Sequence, residues 1–211
     1  MATGKATGAK RAGAPTLTAA DWVEAALQMI AERGVAATTV DALAQRLGVT
    51  KGSFYWHFAG RAELLDAALG RWEQQATTDS IAGLSAVEDP RRRLELMIAA
   101  SSQPPRARSL YAALAAAADE PSVGAVLARV AARRIAYLAA CYRDAGLEAP
   151  LADAMATFAY AAYRGLLQLA REAPAALPRE WSHYPTVTAG ALVPAPAPPT
   201  RVGAARRRRR G

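Results

Sequence analysis

A short run of polar side chains carries the chemistry that this sequence is best suited to perform. Lys51, Gly52 and Ser53 follow one another, and Tyr55 and His57 alternate after them. An ammonium group, a residue without a side chain and a small hydroxyl suit contacts to base edges and nearby phosphates. The phenol and imidazole groups can donate hydrogen bonds to phosphate oxygens. The run therefore predicts a surface that binds nucleic acid.

The sequence offers no comparable set of residues for catalysis or for a metal. It contains one cysteine, Cys141, and two histidines, His57 and His183. Cysteine-based zinc and iron–sulfur sites and histidine-rich metal sites need more of these residues. Cys141 also has no histidine nearby in the sequence to act as its base. We therefore expect no enzymatic activity, no metal and no cofactor.

Helices must hold the polar run in place, and the first of them is marked at both ends. Thr18 and Asp21 have the spacing of a capping box, and Gly34 provides a stop. Between them the apolar positions follow at helical spacing, namely Val23, Leu27 and Ile30. The pattern predicts one amphipathic helix.

Two shorter helices follow. Thr38 and Thr39 open the second helix, and Gly48 closes it. Thr50 is expected to cap a third helix that spans Lys51–His57. Two short helices joined by a three-residue turn that contains glycine match a helix-turn-helix.

Aromatic residues decide which face of the third helix points outward. Phe54 and Phe58 are four residues apart, so they share one face and are expected to bury against the first two helices. The polar face and the free N–H groups of the first turn are then left for phosphate. A fourth helix is expected to run from about Arg61 past Trp72, and Trp56 is expected to pack against it rather than contact DNA. Asp41, in the first turn of the second helix, is expected to stabilise the helix dipole.

These residues together carry a resemblance to a known family. The run TTVDALAQRLGVTKGSFYWHF at residues 38–58, followed by GRAELL at 60–65, resembles the DNA-binding head of the TetR family of bacterial transcriptional repressors. The resemblance implies that Thr39 and Arg61 also contact phosphate, although the family more often has lysine at the position of Arg61. The predicted DNA-binding residues are thus Thr39, Thr50, Lys51, Gly52, Ser53, Tyr55, His57 and Arg61.

The positive charge of the chain does not itself identify this function. The net charge is +8, but residues 1–15 and 201–211 hold nine basic residues and no acid. Residues 16–73, the predicted DNA-binding domain, contain five basic and seven acidic residues. We expect residues 1–15 to be a disordered basic arm that can enter a DNA groove. Residues 194–211 are expected to be a disordered tail, rich in Pro and Ala and then in Arg, that is either solvated or attracted to phosphate.

Composition predicts an all-α protein. Alanine occurs 55 times, whereas valine and isoleucine together occur 15 times. Pro90, Pro105, Pro121 and Pro150 stand where the first turn of a helix tolerates proline. We expect a three-helix head at residues 16–73. A bundle of about five to six helices at residues 74–193 is expected to bind a ligand and to form a homodimer.

Large side chains are sparse in this second region, so each is a candidate either for the core or for a cavity. The candidates for a ligand pocket are Met97, Tyr111, Leu114, Tyr137, Phe158 and Tyr163. Because acids are few in these stretches, an apolar or aromatic effector is favoured over a strongly cationic one. Residues of one helical stripe resemble the family's dimerisation helix, and with a residue of the last helix they form the predicted interface: Phe158, Ala162, Gly165, Leu169 and Trp181.

The sequence therefore predicts a DNA-binding transcriptional regulator that responds to a small-molecule effector. A dimeric repressor of a pseudo-palindromic operator is favoured. A non-catalytic helical interaction protein and a non-specific DNA-binding protein are the alternatives. Since no signal peptide and no membrane span are read, a cytoplasmic protein that associates with the nucleoid when bound to DNA is expected.

Overall fold

The computed structural model describes residues 17–100, 105–177 and 184–195. These residues contain no β-strand, which confirms the all-α prediction. The predicted basic arm, Trp181, His183 and the tail from residue 196 lie outside the described residues. The helices are α1 (Ala19–Arg33), α2 (Val40–Leu47), α3 (Lys51–Tyr55), α4 (Arg61–Glu73), α5 (Ser80–Ser85), α6 (Pro90–Ala100), α7 (Pro105–Ala116), α8 (Pro121–Asp144), α9 (Ala149–Glu172) and α10 (Tyr184–Leu192).

The capping signals of α1 and α2 act as predicted. The Thr18 backbone N–H and hydroxyl each lie 2.7 Å from Asp21 Oδ2, and the Asp21 N–H donates to Thr18 Oγ1. These hydrogen bonds, the backbone one first, lower the pKa of Asp21. The Ala42 N–H donates to the Thr39 hydroxyl at 3.2 Å. Gly48 ends α2 in the left-handed region, with a φ of 68°.

Helix α3 differs from its prediction at both ends. Thr50 makes no side-chain capping bond; instead its backbone carbonyl accepts from the Ser53 N–H at 3.0 Å. The helix ends at Tyr55 rather than at His57, because the chain turns around the carbonyl of Phe54. That oxygen accepts from the N–H groups of both His57 and Phe58, at 2.9 and 3.1 Å. The predicted DNA-binding residues 50–57 therefore lie on a single turn of helix and the bend that follows it.

Prolines begin the later helices, as predicted. Helices α6, α7 and α8 start at Pro90, Pro105 and Pro121, and α9 carries Pro150 in its first turn. One element was not predicted: residues Gln74–Asp79 between α4 and α5 form a π-helical segment. A single 3₁₀ turn, Pro174–Ala176, follows α9.

The described residues divide into two compact units. The first takes residues 17–76 and 105–128, so α7 and the start of α8 pack with the predicted head, and α7 packs against α1. Trp72 and Tyr111 contribute to its core, with ring centroids 5.9 Å apart. The domain boundaries predicted from the sequence placed α7 with the later helices, and those boundaries stay a prediction.

The second unit takes residues 77–100 and 129–195. Its core joins α6, α8, α9 and α10 through Leu94, Tyr142, Ala156 and Leu192. The Tyr142 hydroxyl donates to the Leu192 carbonyl at 2.8 Å, and burial raises the pKa of Tyr142 to about 12. Among the described helices, none has both the length and the apolar character that crossing a bilayer requires.

Candidate nucleic-acid interface

Phe54 anchors α3 to the rest of the first unit. Its side chain is fully buried, and its ring centroid lies 5.3 Å from that of Trp22 on α1 and 5.6 Å from that of Phe58. The predicted inward face of α3 is therefore confirmed. Trp22 was not part of the predicted apolar stripe of α1, although it is fully buried. Edge-to-face packing of this kind fixes both the position and the rotation of α3.

The opposite face of α3 is exposed. Thr50, Lys51, Gly52 and Tyr55 are exposed there, whereas Ser53 is half-buried. His57 is half-buried in the bend that follows the helix. Thr39, at the start of α2, is also exposed. The structure thus puts most of the predicted DNA-binding side chains at the surface, on and around one helical turn.

Trp56 corrects one expectation. The sequence favoured packing against α4, but the side chain is 88% exposed, so that interpretation is wrong. The reason is visible in the spacing, because Phe54 and Phe58 occupy the inward positions and Trp56 lies midway between them. Together with Tyr55, it gives the surface two exposed aromatic rings. The spacing of Phe54 and Phe58, four residues apart with Trp56 midway on the other side of the turn, was the signal that could have revealed it.

Arg61 has internal partners that the sequence did not indicate. Its Nε and Nη2 atoms donate to the carbonyls of Thr38 and Val35, both at 2.8 Å, and Nη1 lies 3.5 Å from Glu120 Oε1. The guanidinium therefore fastens the loop between α1 and α2 to the start of α4. Its predicted contact with phosphate stays a prediction.

Charges near the exposed face of α3 are paired. The Lys51 ammonium contacts Asp41 Oδ1, and both side chains are more than half exposed. Arg46 on α2 is held by the Glu32 carboxylate, with Nη1 at 2.6 Å and Nη2 at 2.9 Å. Lys51 and Arg46, the described cations of α2 and α3, are therefore each in contact with an acid.

A polar cluster around the buried Cys141 lies in the second unit. Arg93 Nη1 is 3.1 Å from Asp144 Oδ2, and the side chains of Tyr137 and Cys141 adjoin this pair. Burial raises the pKa of the Cys141 thiol and of Tyr137. A thiol held protonated in this way is a poor nucleophile. Within the described part of the chain, no group of three or more His, Cys, Asp or Glu side chains could hold a metal ion.

Comparison with known proteins places this helix-turn-helix in a family. Residues 23–68 match the family described as "Bacterial regulatory proteins, tetR family". The chain is 43% identical over 72 residues to the transcriptional regulator TtgR of Pseudomonas putida, which covers 34% of this chain and 33% of TtgR. It is 37% identical over 68 residues to the probable acrEF/envCD operon repressor of Escherichia coli, covering 32% and 30% of the two chains.

The similarity in fold extends beyond the head. The crystal structure of a transcriptional regulator from Rhodococcus sp. RHA1 superposes with a TM-score of 0.66 and 26% identity, over 83% of this chain and 96% of that one. Residues 23–68 form a DNA-binding domain of the TetR family. Its alignments with the curated relatives span only about a third of their length.

The six predicted pocket residues fall in both units. Tyr111 and Leu114 are buried in the first unit. Met97, Tyr137 and Tyr163 are partly buried against the core of the second unit. Phe158, also in the second unit, is 61% exposed. A shared ligand pocket for these residues stays a prediction.

The predicted dimer stripe lies on one face of α9. Phe158 and Leu169 are 61% and 46% exposed, Gly165 is exposed, and Ala162 is half-buried. Leu151, seven residues before Phe158 and therefore on the same face, is 55% exposed. The single protomer thus leaves a row of apolar side chains uncovered along α9.

Proposed function

We propose that this protein is a transcriptional repressor that binds an operator in double-stranded DNA as a homodimer and is released by a small molecule. The exposed polar face of α3, held rigidly from behind by Phe54, is the observation that carries the proposal. Helix-turn-helix proteins insert such a helix into the major groove. Its few side chains then meet base edges directly.

Each side chain has a separate proposed role at the DNA. Lys51, Gly52 and Ser53 stand in the first turn of α3, so they face base edges and the nearest phosphates. Tyr55 and His57 contact phosphate oxygens farther along, as does Thr39 from the start of α2. Trp56 adds apolar contact area beside them. Arg61 supports this surface indirectly, because its guanidinium holds the loop that precedes α2 in position.

Two features support the proposed dimerisation: the short length of α3 and the exposed apolar face of α9. One short helix makes too few contacts for specific binding, whereas a two-fold dimer places two of them in successive major grooves, about 34 Å apart. The uncovered apolar row of α9, with Phe158 and Leu169, supplies a surface that a second copy can bury. Ala162 and Gly165 in the same row let two helices approach closely.

The effector is proposed to bind the later helices. An apolar or aromatic molecule is favoured by the candidate side chains, which include Met97, Tyr137 and Tyr163. Such a ligand can release DNA only if it binds more tightly to the conformer whose recognition helices are wrongly spaced. The proposed site of action is the cytoplasm, on the nucleoid when DNA is bound.

In vitro selection from random duplexes, followed by fluorescence anisotropy on the selected sequence, tests the proposal. We expect wild-type protein to enrich a pseudo-palindromic sequence. Lys51→Ala and Tyr55→Ala should each weaken binding by about fivefold or more, because each removes a proposed DNA contact worth about 1–3 kcal/mol. Arg171→Ala, an exposed cation at the end of α9, is the matched control and should bind as wild type does. Failure to enrich any sequence would exclude the proposed function.

A further inference from the structure

The ion pair between α2 and α3 joins the only lysine of residues 16–200 to an acid on the neighbouring helix. Lys51 is the first residue of α3, and Asp41 lies in the first turn of α2. The Lys51 ammonium contacts Asp41 Oδ1 across the helix-turn-helix. The pair therefore sits at the edge of the face that is proposed to read DNA.

Stability does not account for this pair. Its side chains are 61% and 64% exposed, and exposed ion pairs of this kind add little to folding, because water and salt screen them. A carboxylate beside a proposed DNA surface also has a cost, since it faces the negative charge of the phosphates. The helix dipole of α2 accounts for an acid in its first turn, but not for the contact of that acid with Lys51, so the contact calls for a role in binding.

The charge balance of the head indicates what that role is. Residues 16–73 have a net charge of −2, Arg46 is held by Glu32, and Arg61 is bound to backbone carbonyls. Lys51 is thus the cation best placed to attract DNA from this face. While the ammonium is paired with Asp41, its pull on phosphates of arbitrary sequence is largely cancelled.

We propose that Asp41 is a specificity-determining residue of the DNA-binding surface: its carboxylate holds the Lys51 ammonium and withholds it from DNA of arbitrary sequence. The proposal rests on the proposed DNA-binding function. Only a duplex that offers a well-placed acceptor, such as the O6 and N7 atoms of guanine, draws the ammonium away from the carboxylate. Asp41 thereby weakens non-specific binding more than it weakens binding to the operator.

The test measures the affinity of Asp41→Asn for two duplexes, the selected operator and a scrambled sequence of the same length, over a range of salt concentrations. Asp66→Asn, which removes one exposed acid from α4, is the matched control. We expect Asp41→Asn to bind the scrambled duplex about fivefold more tightly at low salt, with a salt slope steeper by up to about 0.9, because Lys51 becomes free to release one counterion. Affinity for the operator should rise by less than about twofold, so the specificity ratio falls.

Two further arms separate this role from others. In a Lys51→Met background, Asp41→Asn should no longer raise affinity for the scrambled duplex beyond the effect of Asp66→Asn, since the ammonium is gone. Circular dichroism and thermal unfolding check that each variant is folded. Weaker operator binding by Asp41→Asn would overturn the proposal, because Asp41 would then contact a base itself. If Asp41→Asn leaves the ratio of operator affinity to scrambled-duplex affinity unchanged, the proposal is also overturned. If the wild-type protein selects no sequence at all, the proposed DNA-binding function fails, and this proposal fails with it.

Discussion

At the scale of single residues, Arg61 shows how one side chain can serve folding where the sequence suggested DNA contact. Its guanidinium donates to two backbone carbonyls, those of Thr38 and Val35, in a geometry that a planar, multidentate donor can satisfy. The loop before α2 is thereby tied to α4. The orientation of Thr39, and with it the start of α2, then depends on Arg61.

Replacing Arg61 by lysine should therefore destabilise the protein even though the charge is kept. A lysine ammonium is a point donor without the guanidinium fork that meets both carbonyls, so one of the two hydrogen bonds is lost. Because the Val35 carbonyl still accepts from the Thr38 N–H, the expected loss is about 0.5–1.5 kcal/mol. Urea unfolding of Arg61→Lys measures this loss. Arg71→Lys, an exposed arginine on the same helix, is the control and should unfold like wild type. Unchanged stability of Arg61→Lys, with a reduced salt slope of DNA binding, would favour a direct phosphate contact instead.

At the scale of elements, the turn between α2 and α3 fixes the direction of α3. Gly48 has a φ of 68°, and a side chain there would be strained, although the space around it is open. Gly70, inside α4, also has open space but no positive φ. Comparing alanine substitutions at the two positions therefore tests whether Gly48 is needed for its positive φ, since neither site lacks space for a Cβ.

Gly48→Ala should destabilise the protein by about 1–2 kcal/mol, the cost of placing a Cβ in the left-handed region. Gly70→Ala should stabilise it by about 0.5–1 kcal/mol, because alanine loses less entropy than glycine on joining a helix. Thermal unfolding of the two variants checks both signs. If both substitutions shift stability in the same direction, the left-handed turn is not what Gly48 is needed for.

Capping residues, glycines and prolines predicted where helices begin and end, whereas contacts between residues far apart in the chain could not be predicted from the sequence. Thr18, Gly48 and Pro121 each act within one helical turn, so helix starts and stops could be found from spacing alone. The packing of α7 against α1 and the reach of Arg61 to Glu120 join residues far apart in the chain, for which no periodicity exists. The π-helical segment Gln74–Asp79 has no pattern in the sequence that predicts it.

At the scale of the whole molecule, the proposed specificity has to arise without a basic head. The excess positive charge lies in residues 1–15 and 201–211, outside the described residues, while the head is slightly acidic. The proposed DNA binding therefore depends on a few placed donors and on the duplication of the head in the proposed two-fold dimer. The tails are expected to add attraction that is the same for every sequence.

Dimethyl sulfate footprinting of the selected operator tests most directly whether α3 reads the major groove. The reagent methylates guanine N7 in the major groove and adenine N3 in the minor groove, so the two grooves are scored separately. Bound wild-type protein should protect guanine N7 atoms in two half-sites about one helical turn apart, and Lys51→Ala should weaken that protection. Full reactivity of guanine N7 in the bound operator, or protection of adenine N3 alone, would contradict recognition by α3.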